Sequence, residues 1–184
     1  MRFNSEEHLV TWQGNKKFPA IHDDIFFAIS AFSKGNGFLD LCCSTGLLAQ
    51  RVKTYIAKNV VGVDGDEAAL QLAGLSGIDV ELICLKVLPE TIKELAKIIE
   101  KHKIDTVIAR RCFPELFGND IEFGEVFAEL LYQLGIKEIF IEGRIATKTA
   151  TNALASLKDE CQLVSKYYEV IKTHKNVAYL RKIA

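Results

Sequence analysis

Four short stretches hold the residue types that could do chemistry. Asp40-Leu-Cys-Cys-Ser-Thr-Gly46 is a turn of small residues that opens straight into a helical pattern. Side chains that small let backbone N–H groups and the positive end of the helix approach a ligand closely. Farther on, Val61-Gly-Val-Asp64-Gly-Asp66 puts an acid where it can accept both hydroxyls of a ribose, with Gly65 allowing the tight turn beside it. Small turn and acid together imply a nucleoside-containing ligand. The third stretch is Ala109-Arg-Arg-Cys-Phe-Pro-Glu-Leu-Phe117, and the fourth is Glu142-Gly143-Arg144. Paired guanidinium groups grip carboxylates or phosphates, and a carboxylate beside them is either a general base or their ion-pair partner.

The elements that must position these residues alternate along the chain. Strand-like runs at Gly37–Cys42, Asn59–Val63, Asp79–Cys84, Ile104–Ala109 and Lys137–Glu142 take turns with helical stripes. The stripes fall at His22–Ser33, Gly46–Ala57, Asp66–Leu75, Pro89–Lys101, Ile121–Leu134 and Lys148–Leu157. Pro89 suits a first helical turn, Asp66 an N-cap, and Leu47, Leu48, Val52 and Ile56 the buried face of the second helix. The end of the chain differs: Leu163–Ile171 and Val177–Ile183, split by Thr173-His-Lys-Asn176, read as a β-hairpin. The expected architecture is α/β, a three-layer Rossmann-like sandwich whose seven-stranded sheet is parallel except for one antiparallel strand. Ligands in such sheets bind at the carboxyl ends of the strands, where all four stretches lie.

Composition sets the outer bounds. The 184 residues carry 23 Lys+Arg against 24 Asp+Glu, a formal charge of −1, with 49% apolar residues. That balance fits one domain overall, excludes disorder and gives no general basic excess for nucleic acid. Residues 1–35 read as an N-terminal arm and helix, and residues 36–184 as the core. Cys42, Cys43, Cys84, Cys112 and Cys161 form no CxxC pair and sit in or beside apolar runs, so they are expected to be buried reduced thiols. His8, His102 and His174 lack metal-ligand spacing, so no metal is expected. With no signal peptide and no run long enough to cross a membrane, the expected location is cytoplasmic.

On these residues the sequence resembles the class I S-adenosylmethionine-dependent methyltransferases. Their first motif, acid-x-Gly-x-Gly-x-Gly, corresponds to Asp40, Cys42, Ser44 and Gly46, with Cys and Ser replacing two glycines. Their ribose-binding acid corresponds to Asp64, and their seven-stranded sheet, ordered 3-2-1-4-5-7-6, ends in the same hairpin. The resemblance implies S-adenosylmethionine as cofactor, held by Asp40, Cys42, Cys43, Ser44, Thr45, Gly46, Asp64 and Gly65. It assigns Asp40 to the methionyl amino group, while a strand-end acid of this kind also caps the following loop. At the third strand end the family's acid or Asn is missing, so backbone groups of Leu85, Lys86 and Val87 are left to meet adenine, with Leu88 packing on the base. A nicotinamide dinucleotide is disfavoured, because the replaced glycines are those a pyrophosphate needs.

The acceptor side is less defined. The fourth-strand segment is neither the Asn/Asp-Pro-Pro-Tyr/Phe signature of DNA amino-group methylation nor the Pro-Cys pair of cytosine-C5 enzymes. A guanidinium here would meet the methionyl carboxylate or an anionic acceptor, or else pair with Glu115, Glu142 or a surface acid. Arg110 is counted with the cofactor-binding residues and Arg111 with the substrate residues, and strand alternation predicts that only one of the two enters the cleft. Arg110, Arg111 and Glu142 are the catalytic candidates, although methyl transfer needs little beyond alignment. Trp12, Lys16, Lys17 and Arg144 are substrate candidates, the first three on an arm that reads either as a lid over the ligand or as a surface segment with Trp12 packed on the domain. His22 reads as part of a first helical turn, not as a base, and Cys112 as a structural thiol. The chain is thus expected to methylate a small or anionic acceptor. The alternatives are a nucleic-acid methyltransferase, an enzyme that consumes the cofactor without methylation, and an inactive cofactor-binding or partner module.

Overall fold

The computed structural model describes residues 21–143 and 153–184. Helix α1 (Asp23–Phe32) precedes strand β1 (Gly37–Leu41), followed by α2 (Leu47–Tyr55) and β2 (Asn59–Asp64). Next come α3 (Glu67–Leu75), β3 (Glu81–Cys84), α4 (Ile92–Lys101) and β4 (Thr106–Arg110). The short α5 (Phe113–Phe117), α6 (Ile121–Gln133), β5 (Glu138–Glu142), α7 (Leu157–Val164), β6 (Tyr168–His174) and β7 (Val177–Lys182) complete the described chain. The seven strands form one sheet, ordered β3-β2-β1-β4-β5-β7-β6, and only β7 runs against the direction of the other six. This is the expected α/β sandwich with the expected strand order.

The inner strands of the sheet, β2, β1, β4, β5 and β7, are buried on both faces, as their apolar runs require, while the edge strands β3 and β6 are largely exposed. Strand alternation sorts the core into two halves. Phe38, Val60, Ile108, Phe140 and Tyr179 turn to one face and pack with Ile25 and Ile29 of α1 and Leu48 and Val52 of α2. Leu39, Leu41, Val61, Val63, Val107, Ile139 and Ile141 turn to the other, under α4, α5, α6 and α7. Polar residues on the first face follow the same parity: Asp40, Arg110 and Glu142 extend the rows begun by Phe38, Ile108 and Phe140, and the register pairs Arg110 with Glu142.

Some elements differ from expectation for local reasons. Thr91, not Pro89, ends the lead into α4: its hydroxyl donates to the Lys86 carbonyl and accepts from the Leu88 N–H at 3.0 Å, leaving Pro89 in the preceding turn. Leu163 and Val164 close α7 instead of opening a strand, so β6 starts at Tyr168 and the hairpin turn narrows to Lys175-Asn176. Ser156 caps α7 by accepting from the Asp159 N–H at 3.2 Å. Leu47 is exposed, because Leu48, Ala49 and Val52 carry the buried face of α2. The first half of the expected helix at Lys148–Leu157 lies outside the described residues, as do Trp12, Lys16, Lys17 and Arg144. The second half of that stretch is not helical up to Ser156, whose side chain instead caps α7 from Leu157 onward. Asp66 does cap α3, accepting from the N–H groups of Ala68 and Ala69.

Two glycines decide how closely β1, β2 and the following turn pack. A Cβ on Gly62 would stand 2.6 Å from Leu82 Cδ2 and 2.7 Å from Cys43 Sγ, so the buried Cys43 thiol occupies the place Gly62 leaves open. A Cβ on Gly37 would meet the Lys103 carbonyl oxygen at 2.4 Å. We expect Gly62→Ala to destabilise the fold by about 1–3 kcal/mol through overpacking. Cys43→Ala introduced alongside should recover part of that loss, which a double-mutant cycle in urea would measure.

Candidate functional site

The carboxyl ends of β1, β2, β4 and β5 meet at one edge of the sheet. After β1 the chain reverses through three residues in the left-handed region: Cys42 (φ 57°), Ser44 (φ 52°) and Gly46 (φ 70°). Only the last is a glycine, and each non-glycine residue in this region costs about 1–2 kcal/mol. What holds the turn is Asp64 at the end of β2. Its Oδ2 accepts from the Ser44 N–H at 2.7 Å and its Oδ1 from the Asp66 N–H at 2.8 Å. The Cys43 N–H donates to the Val63 carbonyl at 3.1 Å, a further tie between turn and strand. Gly46 then starts α2, with Leu82 methyls 3.0 Å from where a Cβ would sit.

Asp40 lies one residue before the end of β1 and is 2% exposed. Its Oδ2 is buried without a hydrogen-bond partner, and the Ala49 amide in the first turn of α2 acts to lower its pKa. Asp40 therefore presents an unsatisfied acceptor beside the start of α2. Burial pushes its carboxyl up to a pKa of about 7, with the Arg110 charge opposing and Asp64 adding to the rise.

Across the edge, Glu142 is 3% exposed and faces two arginines. Arg111 Nε lies 2.6 Å from Oε1 and Arg110 Nε 3.2 Å from Oε2. Strand alternation predicts opposite directions for the two arginines, but Arg111 adopts φ 56°, which breaks the alternation and brings both to one carboxylate. Its backbone N–H also donates to the Glu142 carbonyl at 2.7 Å. With both oxygens facing guanidinium groups, Glu142 acts as an ion-pair partner and not as a free base.

Because α1 joins β1 through a short link, it runs back along the sheet and brings His22 to this edge. His22 is 9% exposed; burial and the charges of Arg110, Arg51 and Arg111 lower its pKa to about 4 against the opposing pull of Asp23. It is thus a neutral imidazole at neutral pH, a feature that its place beside Asp23 and Asp24 in the sequence conceals. The Cys112 thiol, buried and next to the Cys42 thiol, is pushed well above its ordinary pKa, so no thiolate forms there. Cys84, expected to be buried, is exposed at the end of β3. Beside it the Leu85 N–H donates to the Asp64 carbonyl at 2.8 Å, and Lys86 lies against Gly65, where a Cβ would stand 2.7 Å from Lys86 Cγ. Val87 is buried and Leu88 partly exposed. Asp40, Asp64, Arg110, Arg111 and Glu142 thus gather at one edge, with the 42–46 turn and the 86–88 segment beside it. Among the described residues no cluster of His, Cys, Asp or Glu could hold a metal ion.

No protein-family model matches the chain. A 60-residue stretch is 38% identical to the ribosomal protein L11 methyltransferases of Thermotoga petrophila and Thermotoga maritima, spanning 33% of this chain and only 23% of their length. Among solved structures, N-methyltransferase NodS from Bradyrhizobium japonicum WM9 in complex with S-adenosyl-L-homocysteine aligns at a TM-score of 0.62 with 9% identity, over 98% of this chain and 99% of that one. Magnesium protoporphyrin IX methyltransferase from Synechocystis PCC 6803 with bound S-adenosylmethionine aligns at 0.61 with 12% identity, over 100% and 86%. WbdD aligns at 0.61 with 17% identity, over 99% of this chain and 42% of that one. The chain has the class I methyltransferase fold.

In this fold Asp40 and His22 leave opposite marks on stability. Asp40 holds its proton more tightly folded (about 7) than at its ordinary 3.8, so its contribution is full below about pH 4 and lost as pH rises to about 7. His22 resists protonation when folded (about 4, against 6.5), so its contribution is present above about pH 6.5 and lost as pH falls to about 4. In Asp40→Asn, stability should therefore rise with pH between about 4 and 6.5. In His22→Gln it should fall between about 4 and 7. Urea titrations of both variants at stepped pH check the two signs.

Proposed function

We propose that this chain is an S-adenosylmethionine-dependent methyltransferase acting on a small or anionic acceptor. The observation that carries this reading is the buried, unpartnered Oδ2 of Asp40 beside the start of α2. A buried carboxylate oxygen with no donor is unfavourable unless a ligand or water completes it, and a primary ammonium is the donor its charge favours. Arg110, on the same face, would take the methionyl carboxylate. The 42–46 turn would lie along the methionyl chain, Asp64 and Gly65 at the ribose, and Lys86, Val87 and Leu88 at adenine. Asp64 already accepts two backbone N–H groups, and its remaining lone pairs are the ones a ribose would use.

The cofactor would supply an electrophilic methyl group. The chain's own work is then to hold and align: Asp40 and Arg110 fix one end of the cofactor and Asp64 the other, leaving the carboxyl edge near Arg111 to the acceptor. Arg110, Arg111 and Glu142 serve as charged positioning groups, since an in-line transfer to a nucleophile needs little else. We take the chain as one domain, residues 1–35 forming an arm and helix before a core of residues 36–184, in a cytoplasmic protein. Among the described residues no helix is long and apolar enough to cross a membrane. A non-catalytic cofactor-binding module is the second reading, favoured by Cys42 and Ser44, which hold left-handed positions that glycines occupy in the family motif.

Calorimetry with S-adenosylmethionine and S-adenosylhomocysteine tests the first reading. Asp64→Ala should weaken either ligand by about 1–3 kcal/mol. Unchanged affinity in a folded variant would remove Asp64 from the site. Binding should also tighten as pH rises through about 7 and release a proton, because Asp40 must ionise to meet the ammonium. Asp40→Asn should abolish that proton release, read as equal binding heats in buffers of different ionisation enthalpy. Turnover on candidate acceptors separates the enzyme from the module.

A further inference from the structure

Around Glu142 the local charges do not balance, and that imbalance points to the acceptor. Two guanidinium groups face the single carboxylate of Glu142. Arg110, with 13% of its side chain exposed, lies inside and senses Asp40. Arg111 is different, with 42% of its side chain exposed at the rim. A cation needed only to neutralise Glu142 would be redundant beside Arg110.

Arg111 is nonetheless held firmly. Its backbone takes the left-handed φ of 56°, its N–H is fastened to the Glu142 carbonyl and its Nε to Glu142 Oε1 at 2.6 Å. That anchorage uses Nε and leaves the two terminal nitrogens. Among the described residues no second carboxylate lies within ion-pair distance of Arg111. A guanidinium directed through Nε and open at its terminal fork is arranged for bidentate contact with an oxyanion, and fixing it in advance reduces the ordering that binding would require. We propose that Arg111 grips a carboxylate or phosphate group of the methyl acceptor, so that the substrate is an anionic small molecule. This deepens the cofactor-site reading and rests on it: Arg110 serves the cofactor's carboxylate, and Arg111 the acceptor's anion.

The test uses the full chain saturated with S-adenosylhomocysteine and titrated with inorganic phosphate or with acetate, chloride holding ionic strength constant. At least one oxyanion should raise the thermal midpoint saturably, and which one does so separates phosphate-bearing from carboxylate-bearing acceptors. Arg111→Gly, which suits the left-handed backbone, should bind S-adenosylhomocysteine yet weaken the oxyanion effect at least tenfold. Arg111→Lys keeps the charge without the fork and should fall between; it also serves if the glycine variant does not fold. No saturable response to either anion, or an equal response in Arg111→Gly, overturns the acceptor assignment alone. Failure of S-adenosylhomocysteine to bind the unaltered chain overturns the cofactor reading, and this one with it.

Discussion

Burying Asp40, Arg110 and Glu142 on one face of a sheet is the constraint from which the rest of this edge follows. Strand parity gives them that face, and an isolated charge there would be unfavourable by several kcal/mol. Each is answered differently. Glu142 is met by two arginines. Asp40 is buried beside the start of α2 and, near neutral pH, carries a share of a proton. Arg110 senses both acids. The result is a row of charged groups that is only partly compensated by the described protein, placed where an open α/β sheet binds its ligands.

Helix α1 closes this arrangement, and ionic contacts at both of its ends hold it. Beyond its last turn, Ser33 Oγ donates to Glu138 Oε2 at 2.6 Å and the Lys34 N–H reaches the same carboxylate. Glu138 also accepts from the Tyr179 hydroxyl at 2.8 Å, which ties the helix end to β7. At the other end Asp23 meets Arg51 at 2.6 Å and Asp24 meets Lys175 at 2.7 Å. Such exposed pairs add little stability individually, but they fix the direction of α1 and so keep His22 over the buried charges.

Much of this was legible in the sequence because it depends on period and spacing. Strand parity, the crossover helices and the terminal hairpin determine the sheet, and Asp66 announces itself as a cap by the residues that follow it. The misplaced parts depend on contacts between distant segments. Leu163 and Val164 are apolar enough for a strand, but Ser156 and Asp159 nucleate a helix that runs through them. The five-residue α5 leaves too short a stripe to show periodicity, although Pro114 in its first turn was a usable signal. Asp40 and Asp64 could be picked out as a pair, whereas the convergence of Arg110 and Arg111 could not, because it turns on one left-handed backbone angle.

The same angle recurs in the turn after β1, where it explains how a motif with two glycines replaced can persist. Cys42 and Ser44 both take positive φ, and the strain of each opposes the turn. Asp64 offsets part of it by holding the Ser44 N–H at 2.7 Å, a charge-assisted bond. Cys42 packs against the core cluster that holds Cys112. The carboxylate proposed for the ribose is therefore already engaged in shaping the loop that would hold the methionyl chain, so the two halves of the proposed cofactor site would be mechanically one. A change at Asp64 must be felt at Ser44, and a ligand that draws on Asp64 must act on the turn as well.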